Sequence, residues 1–115
     1  MSIERFDKSS RMSQAVVHGN TVYLAGQVAA DGKAPIKEQT QSVLAKIDAL
    51  LAQTGSSKAQ LLQAVIYLAD MRHFQAMNEV WDGWVDAANP PARATVGAPL
   101  AAPGYLIEIM VIAAR

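Results

Sequence analysis

Apolar and polar positions follow three rhythms along this chain, and each rhythm predicts an element. Ile3 to Lys8 alternates weakly and reads as a short strand, with Ser9-Ser10-Arg11 as turn material. Ser13 to His18 and Thr21 to Gly26 read as paired strands, because a two-residue Gly19-Asn20 link is a hairpin signal. Gly26 closes that run, where a glycine suits a bulge or a close backbone approach. Asp31 to Pro35 is a loop. From Ile36 the period lengthens. Val43, Leu44, Ile47, Leu50 and Leu51 recur at helical spacing, with Lys46 and Asp48 on the other side. Gly55 is placed to cap the C-terminus of that helix. Ser56 to Gln60 is a polar connection with room for a single turn. Leu62 to Leu68 is nearly continuous in apolar residues and reads as a buried strand. Asp70 can cap the next helix. Phe74, Met77, Val80, Trp81, Trp84 and Val85 form this second helical stripe, which Asn89-Pro90-Pro91 ends.

The last stretch returns to the strand period. Tyr105, Ile107, Ile109, Val111 and Ala113 fall on one face; Leu106, Glu108, Met110, Ile112 and Ala114 fall on the other. Both faces are apolar apart from Glu108. Residues 93–98 and 105–110 suggest an antiparallel hairpin closed by Pro99 to Gly104. A symmetric register sets Thr95 opposite Glu108 and Arg93 opposite Met110. Arg93 and Glu108 are then diagonal neighbours, roughly 7–8 Å apart and facing one space. A one-residue slip would put them on opposite faces. Two helices can cover one side of the sheet. No helix remains for the other side of the last strand, so its cover is expected to be another copy of the chain.

Composition narrows the function classes. The 115 residues fit one domain, spanning 1–115. Hydrophobic residues make up 51% and aromatics only 6%, so the core is aliphatic. Ten basic and ten acidic residues balance to zero, without the basic stripe of a nucleic-acid binder. The absence of cysteine excludes disulfides, thiolate metal sites and cysteine nucleophiles. No apolar run reaches the ~18–20 residues of a membrane span. No apolar signal region opens the chain, and the expected location is cytoplasmic. His18 and His73 lack metal spacing and read as solvent-exposed. Trp81 and Trp84, three apart on the stripe, read as core packing.

Pro91-Ala92-Arg93-Ala94-Thr95-Val96, followed after a spacer by Ile107-Glu108-Ile109, resembles the C-terminal signature of the RidA (YjgF-type) reactive-intermediate deaminase family. Leu24-Ala25-Gly26-Gln27 resembles the family's Ser-Gly-Gln segment. Phe74 to Trp81 resembles its second-helix motif. The resemblance covers nearly the whole chain. It implies a chorismate-mutase-like α+β fold, with a mixed sheet and two helices packed on one face. It also implies a homotrimer whose sheets line a central barrel, with three clefts between subunits. The implied activity is hydrolysis of 2-iminoacids to 2-oxoacids and ammonia, without metal or cofactor.

Carried over by position, the resemblance makes Arg93 the clamp on the substrate carboxylate, for which a guanidinium fork suits two parallel charge-assisted hydrogen bonds. The Thr95 backbone contacts the end nearer the reacting carbon, and Gly26 adds backbone contacts. Glu108 positions or activates the attacking water, and Asn78 approaches the cleft from the second helix. Met12, Ala25 and Thr95 depart from the pattern, standing where the typical deaminase has tyrosine, serine and cysteine. On the residues alone, Arg93 also reads as an ordinary surface or interface ion pair, and Glu108 as a structural carboxylate satisfied by a neighbour's backbone or by Arg93. Three functions are compatible with these residues. The first is an iminoacid deaminase. The second is a small-carboxylate-binding trimer without turnover. The third is an endoribonuclease or translation inhibitor, against which zero net charge argues.

Overall fold

The computed structural model describes residues 1–115. The strands are β1 (Ile3–Phe6), β2 (Ala15–His18), β3 (Thr21–Leu24), β4 (Gln27–Val28), β5 (Leu61–Leu68), β6 (Ala92–Gly97) and β7 (Ile107–Ala114). The helices are α1 (Ile36–Gln53) and α2 (Phe74–Trp84), with short 3-10 turns at Lys58–Gln60 and Met71–His73 on either side of β5. All seven strands form one mixed sheet in the order β1-β2-β3-β7-β5-β6, with β4 also paired to β7. The fold is α+β, with two helices on one face of the sheet.

The predicted hairpin of β2 and β3 forms around Gly19 and Asn20, with His18 opposite Thr21. The α1 stripe packs as its spacing predicts: Val43, Leu44, Ile47, Leu50 and Leu51 are all buried. Gly55 takes φ 80°, and the amides of Ser56 and Gly55 donate to the carbonyls of Leu51 and Ala52. That pair of bonds is the Schellman closure, which favours glycine at this position. Asp70 accepts from the Arg72 amide and so caps the 3-10 turn before α2.

The helix-side core comes from alternate strand residues. Ile107, Ile109, Val111 and Ala113 of β7 lie beside Leu61, Ala64, Ile66 and Leu68 of β5, all buried. The reading of residues 62–68 as a buried strand holds for that side only. Leu62, beside a register shift between Leu61 and Gln63, is 52% exposed. Tyr23, Val96 and Met110 are exposed as well. The chain is a slab of 43 × 37 × 20 Å, one layer of helices on one layer of sheet, whose second face carries apolar side chains into the open.

The expected hairpin of residues 93–98 with 105–110 does not form. β6 and β7 are not neighbours; β5 lies between them, antiparallel to β7 and parallel to β6. Strands that are consecutive in sequence usually pair, but the connection here is long enough to step over β5. The backbone on either side of the loop pairs with the end of β5: the Ala98 amide donates to the Leu68 carbonyl, and the Leu106 carbonyl accepts from the Ala69 amide. β6 is consequently one open edge of the sheet, with β1 at the other.

Candidate functional site

Pro90 and Pro91 cannot continue α2 and deliver the chain extended into β6. Along β6, Arg93 is aligned with Ala64 and Thr95 with Ile66. Residues aligned across a sheet share a face, and Ala64 and Ile66 are buried under the helices, so Arg93 and Thr95 project to the helix side. There the Arg93 guanidinium carbon lies 5.3 Å from the centroid of the Trp81 ring. The three ion pairs of the protomer are Lys37–Glu79, Arg72–Asp70 and Arg115–Glu4. Arg93 belongs to none of them, which removes the reading of it as an ordinary ion pair within one chain.

The seam between β6 and α2 also holds unused polar capacity. Thr95 Oγ1, Asn78 Oδ1 and His73 Nδ1 are buried without a hydrogen-bond partner. A buried polar atom left unpaired costs about 1–3 kcal/mol. His73, expected at the surface, is thus only half-exposed. His18 is exposed as expected.

Glu108 occupies the other face. It is aligned with Tyr67 on β5 and with Val28 on β4. Its carboxylate lies against Gly26, where an added Cβ would overlap Oε2 and stand 2.9 Å from Cδ. The glycine leaves room for this placement of the Glu108 carboxylate. Arg93 and Glu108 therefore point away from each other in one protomer, contrary to the diagonal pair expected from the sequence. The cause is the interposed β5, which fixes the face of each strand independently.

Met12, 45% exposed, sits in the β1–β2 connection, where its amide donates to Ser9 Oγ and its carbonyl accepts from the Ser9 amide. Ala25 comes directly after β3, its amide donating to the Gln14 carbonyl. The largest cavity, about 510 Å³, lies between the helices around Lys37, Lys58, Glu79 and Trp84 and includes neither Arg93 nor Glu108. No three His, Cys, Asp or Glu side chains group as metal ligands would, and no helix is long and apolar enough to cross a membrane.

Two residues that organise this region do not stand out in the sequence. Gln39, fully buried in α1, donates to the carbonyls of Ala34 and Gly104 and accepts from the Leu106 amide. It ties the start of β7 to the first turn of α1. Its signal is a polar residue on the buried side of a helical stripe. Trp81 carries Arg93, and nothing in its stripe position distinguishes that from packing. Near the start of α2, the Arg72 side chain and amide hold the Asp70 carboxyl at about 2, below its ordinary 3.8. A depressed carboxyl stabilises above its ordinary value and loses that contribution as pH falls towards 2. The pair is on the surface, so the effect is small.

Residues 2–115 match the family model described as Endoribonuclease L-PSP. The chain is 46% identical over 114 residues to a RutC family protein of Haemophilus influenzae, covering 98% of each chain. It is equally 46% identical to the RutC family protein YoaB of Escherichia coli K12, covering 99% of each. Among solved structures, NMB1025 of Neisseria meningitidis, described as a member of the YjgF protein family, superimposes with a TM-score of 0.97 at 46% identity. That match covers 100% of this chain and 96% of the other. The fold is thus a shared one, and the chain is a member of the Endoribonuclease L-PSP (YjgF/RutC) family.

Proposed function

We propose that the protein hydrolyses 2-iminoacids to 2-oxoacids and ammonia, in clefts between the subunits of a homotrimer. The observation that carries this reading is Arg93: a guanidinium at an open sheet edge, seated on Trp81, with no anion of its own chain to neutralise it. A small carboxylate completes that arrangement with two parallel hydrogen bonds. Glu108 supplies the second group. Because it projects from the opposite face, the reacting site combines Arg93 of one protomer with Glu108 and Gly26 of the next. The open β6 edge and the exposed Tyr23, Leu62, Val96 and Met110 support such an assembly.

In this reading the water oxygen bonds to the imine carbon while the C=N π pair moves to nitrogen. Glu108 takes the proton from water and returns it to nitrogen. The carbinolamine so formed passes its hydroxyl proton through Glu108 to nitrogen; the oxygen pair becomes the carbonyl π bond, and ammonia leaves with the C–N pair. Thr95 and Asn78, with buried unpaired oxygens on the Arg93 seam, bind the substrate beside the carboxylate. No metal or cofactor takes part. Positioning and a proton path supply the rate, since a protonated imine is already electrophilic.

A second reading is carboxylate binding without turnover. Met12 and Ala25 favour it, because they stand where the typical deaminase has tyrosine and serine hydroxyls. One experiment separates the two. Purified protein is given iminoacid generated in place, and ammonia release is followed beside Arg93→Ala. Deamination lowered at least about a hundredfold by Arg93→Ala is expected, from the loss of substrate placement. Undiminished turnover in that variant refutes the role of Arg93. Tight carboxylate binding with no accelerated ammonia release selects the second reading. The family's endoribonuclease name raises RNA cleavage as well, but the balanced net charge argues against it.

A further inference from the structure

A clamp for a carboxylate must be held in place without spending the donors that the carboxylate needs. Arg93 meets this condition through an aromatic neighbour. It takes part in no ion pair, yet its guanidinium carbon lies 5.3 Å from the Trp81 ring centroid. An aromatic face attracts a guanidinium through the ring quadrupole and leaves the N–H fork free for a bidentate anion. A carboxylate neighbour would occupy the same donors that the substrate uses.

The ring itself is fixed. Trp81 is only 5% exposed. Trp84 packs on it with ring centroids 5.3 Å apart and planes inclined by 53°. Trp84 is anchored in turn: its Nε1 donates to Asp48 Oδ2 of α1 at 2.9 Å, and Lys58 Nζ lies over its ring, 5.5 Å from the centroid. Orientation is thus passed from α1 through both indoles of α2 to an edge strand that has a hydrogen-bonding neighbour on one side only.

We infer that Trp81 is the positioning residue for Arg93, an aromatic seat that holds the guanidinium over the cleft and keeps its fork open for carboxylate. The inference rests on the reading of Arg93 as the carboxylate clamp. Trp81 acts through Arg93 and touches no reacting atom, so it governs binding and KM far more than kcat.

The test compares wild type, Arg93→Ala, Trp81→Met and Trp81→Phe, with pyruvate as a stable 2-oxoacid probe in calorimetric titrations. Iminoacid kinetics give KM and kcat separately. Methionine fills much of the space without an aromatic face; phenylalanine keeps a face. Cooperative thermal melts establish that each variant is folded. The expected result is pyruvate binding weakened and KM raised about tenfold in Trp81→Met, with Trp81→Phe within about threefold of wild type. The kcat of both stays near wild type. Nuclear magnetic resonance of wild type supplies a readout independent of any variant: ring current shifts the Arg93 side-chain protons upfield.

Normal pyruvate binding by folded Trp81→Met, where Arg93→Ala has lost it, overturns the seat and leaves the clamp standing. Normal binding by Arg93→Ala overturns both. Should Trp81→Met fail to fold, the wild-type spectrum decides: unshifted Arg93 protons refute the seat, and shifted protons with Trp81→Phe near wild type support it.

Discussion

In the candidate site a carboxylate sits against a residue with no side chain. Gly26 lets Glu108 lie flat against the backbone, and any Cβ there would occupy the place of Oε2. The obstructing atom is the far end of a flexible side chain, so the fold can absorb the change by turning Glu108 away. Gly26→Ala is therefore expected to leave the melting temperature within a few degrees and to lower turnover by about a hundredfold, the penalty of a misplaced catalytic group. Steady-state kinetics beside a thermal melt check this. Unchanged turnover would mean that the Glu108 position is irrelevant to the chemistry. The residue scale is also where the sequence is most informative. Arg93, Thr95, Glu108, Gly26 and Asn78 each stand out by type and place, and each has a distinctive environment in the fold. Their grouping is not legible, because whether two side chains share a face depends on the strands between them.

Individual elements are readable because their causes are local. The α1 stripe, its glycine stop and the Gly19-Asn20 hairpin come from period and turn chemistry over a few residues. The two-residue β4 is not readable, since so short a pairing carries no period of its own. Nor is the placing of β6. Its residues fit a strand beside β7 as well as they fit one beside β5, and only the whole sheet decides. The loop entering β7 is held by Gln39 of α1, which makes two hydrogen bonds to it and a third to Ala34 ahead of the helix. Gln39→Leu leaves the Leu106 amide and two carbonyls without partners. It is expected to cost about 2–4 kcal/mol in denaturant unfolding and to speed hydrogen exchange at Leu106. Stability within about 0.5 kcal/mol of wild type, the size of a neutral surface change, would show that the junction is not held by this side chain.

At the scale of the molecule, the sheet has one finished face and one unfinished face. The finished face is sealed by α1 and α2; the other bears Tyr23, Val96 and Met110 beside Glu108, and ends at the unpaired edge of β6. Apolar alternation on both sides of β7 foretells this imbalance. The same geometry separates Arg93 from Glu108 within a protomer, so the proposed chemistry requires a neighbour. Mixed assembly tests that requirement directly. Arg93→Ala and Glu108→Gln subunits, each inactive alone, are co-refolded in equal amounts and assayed for iminoacid hydrolysis. In a ring where each cleft takes Arg93 from one subunit and Glu108 from the next, about a quarter of the clefts regain both native groups. Activity recovering to about a quarter of the wild-type rate is the predicted result; a mixture no more active than its separate components would contradict the shared site.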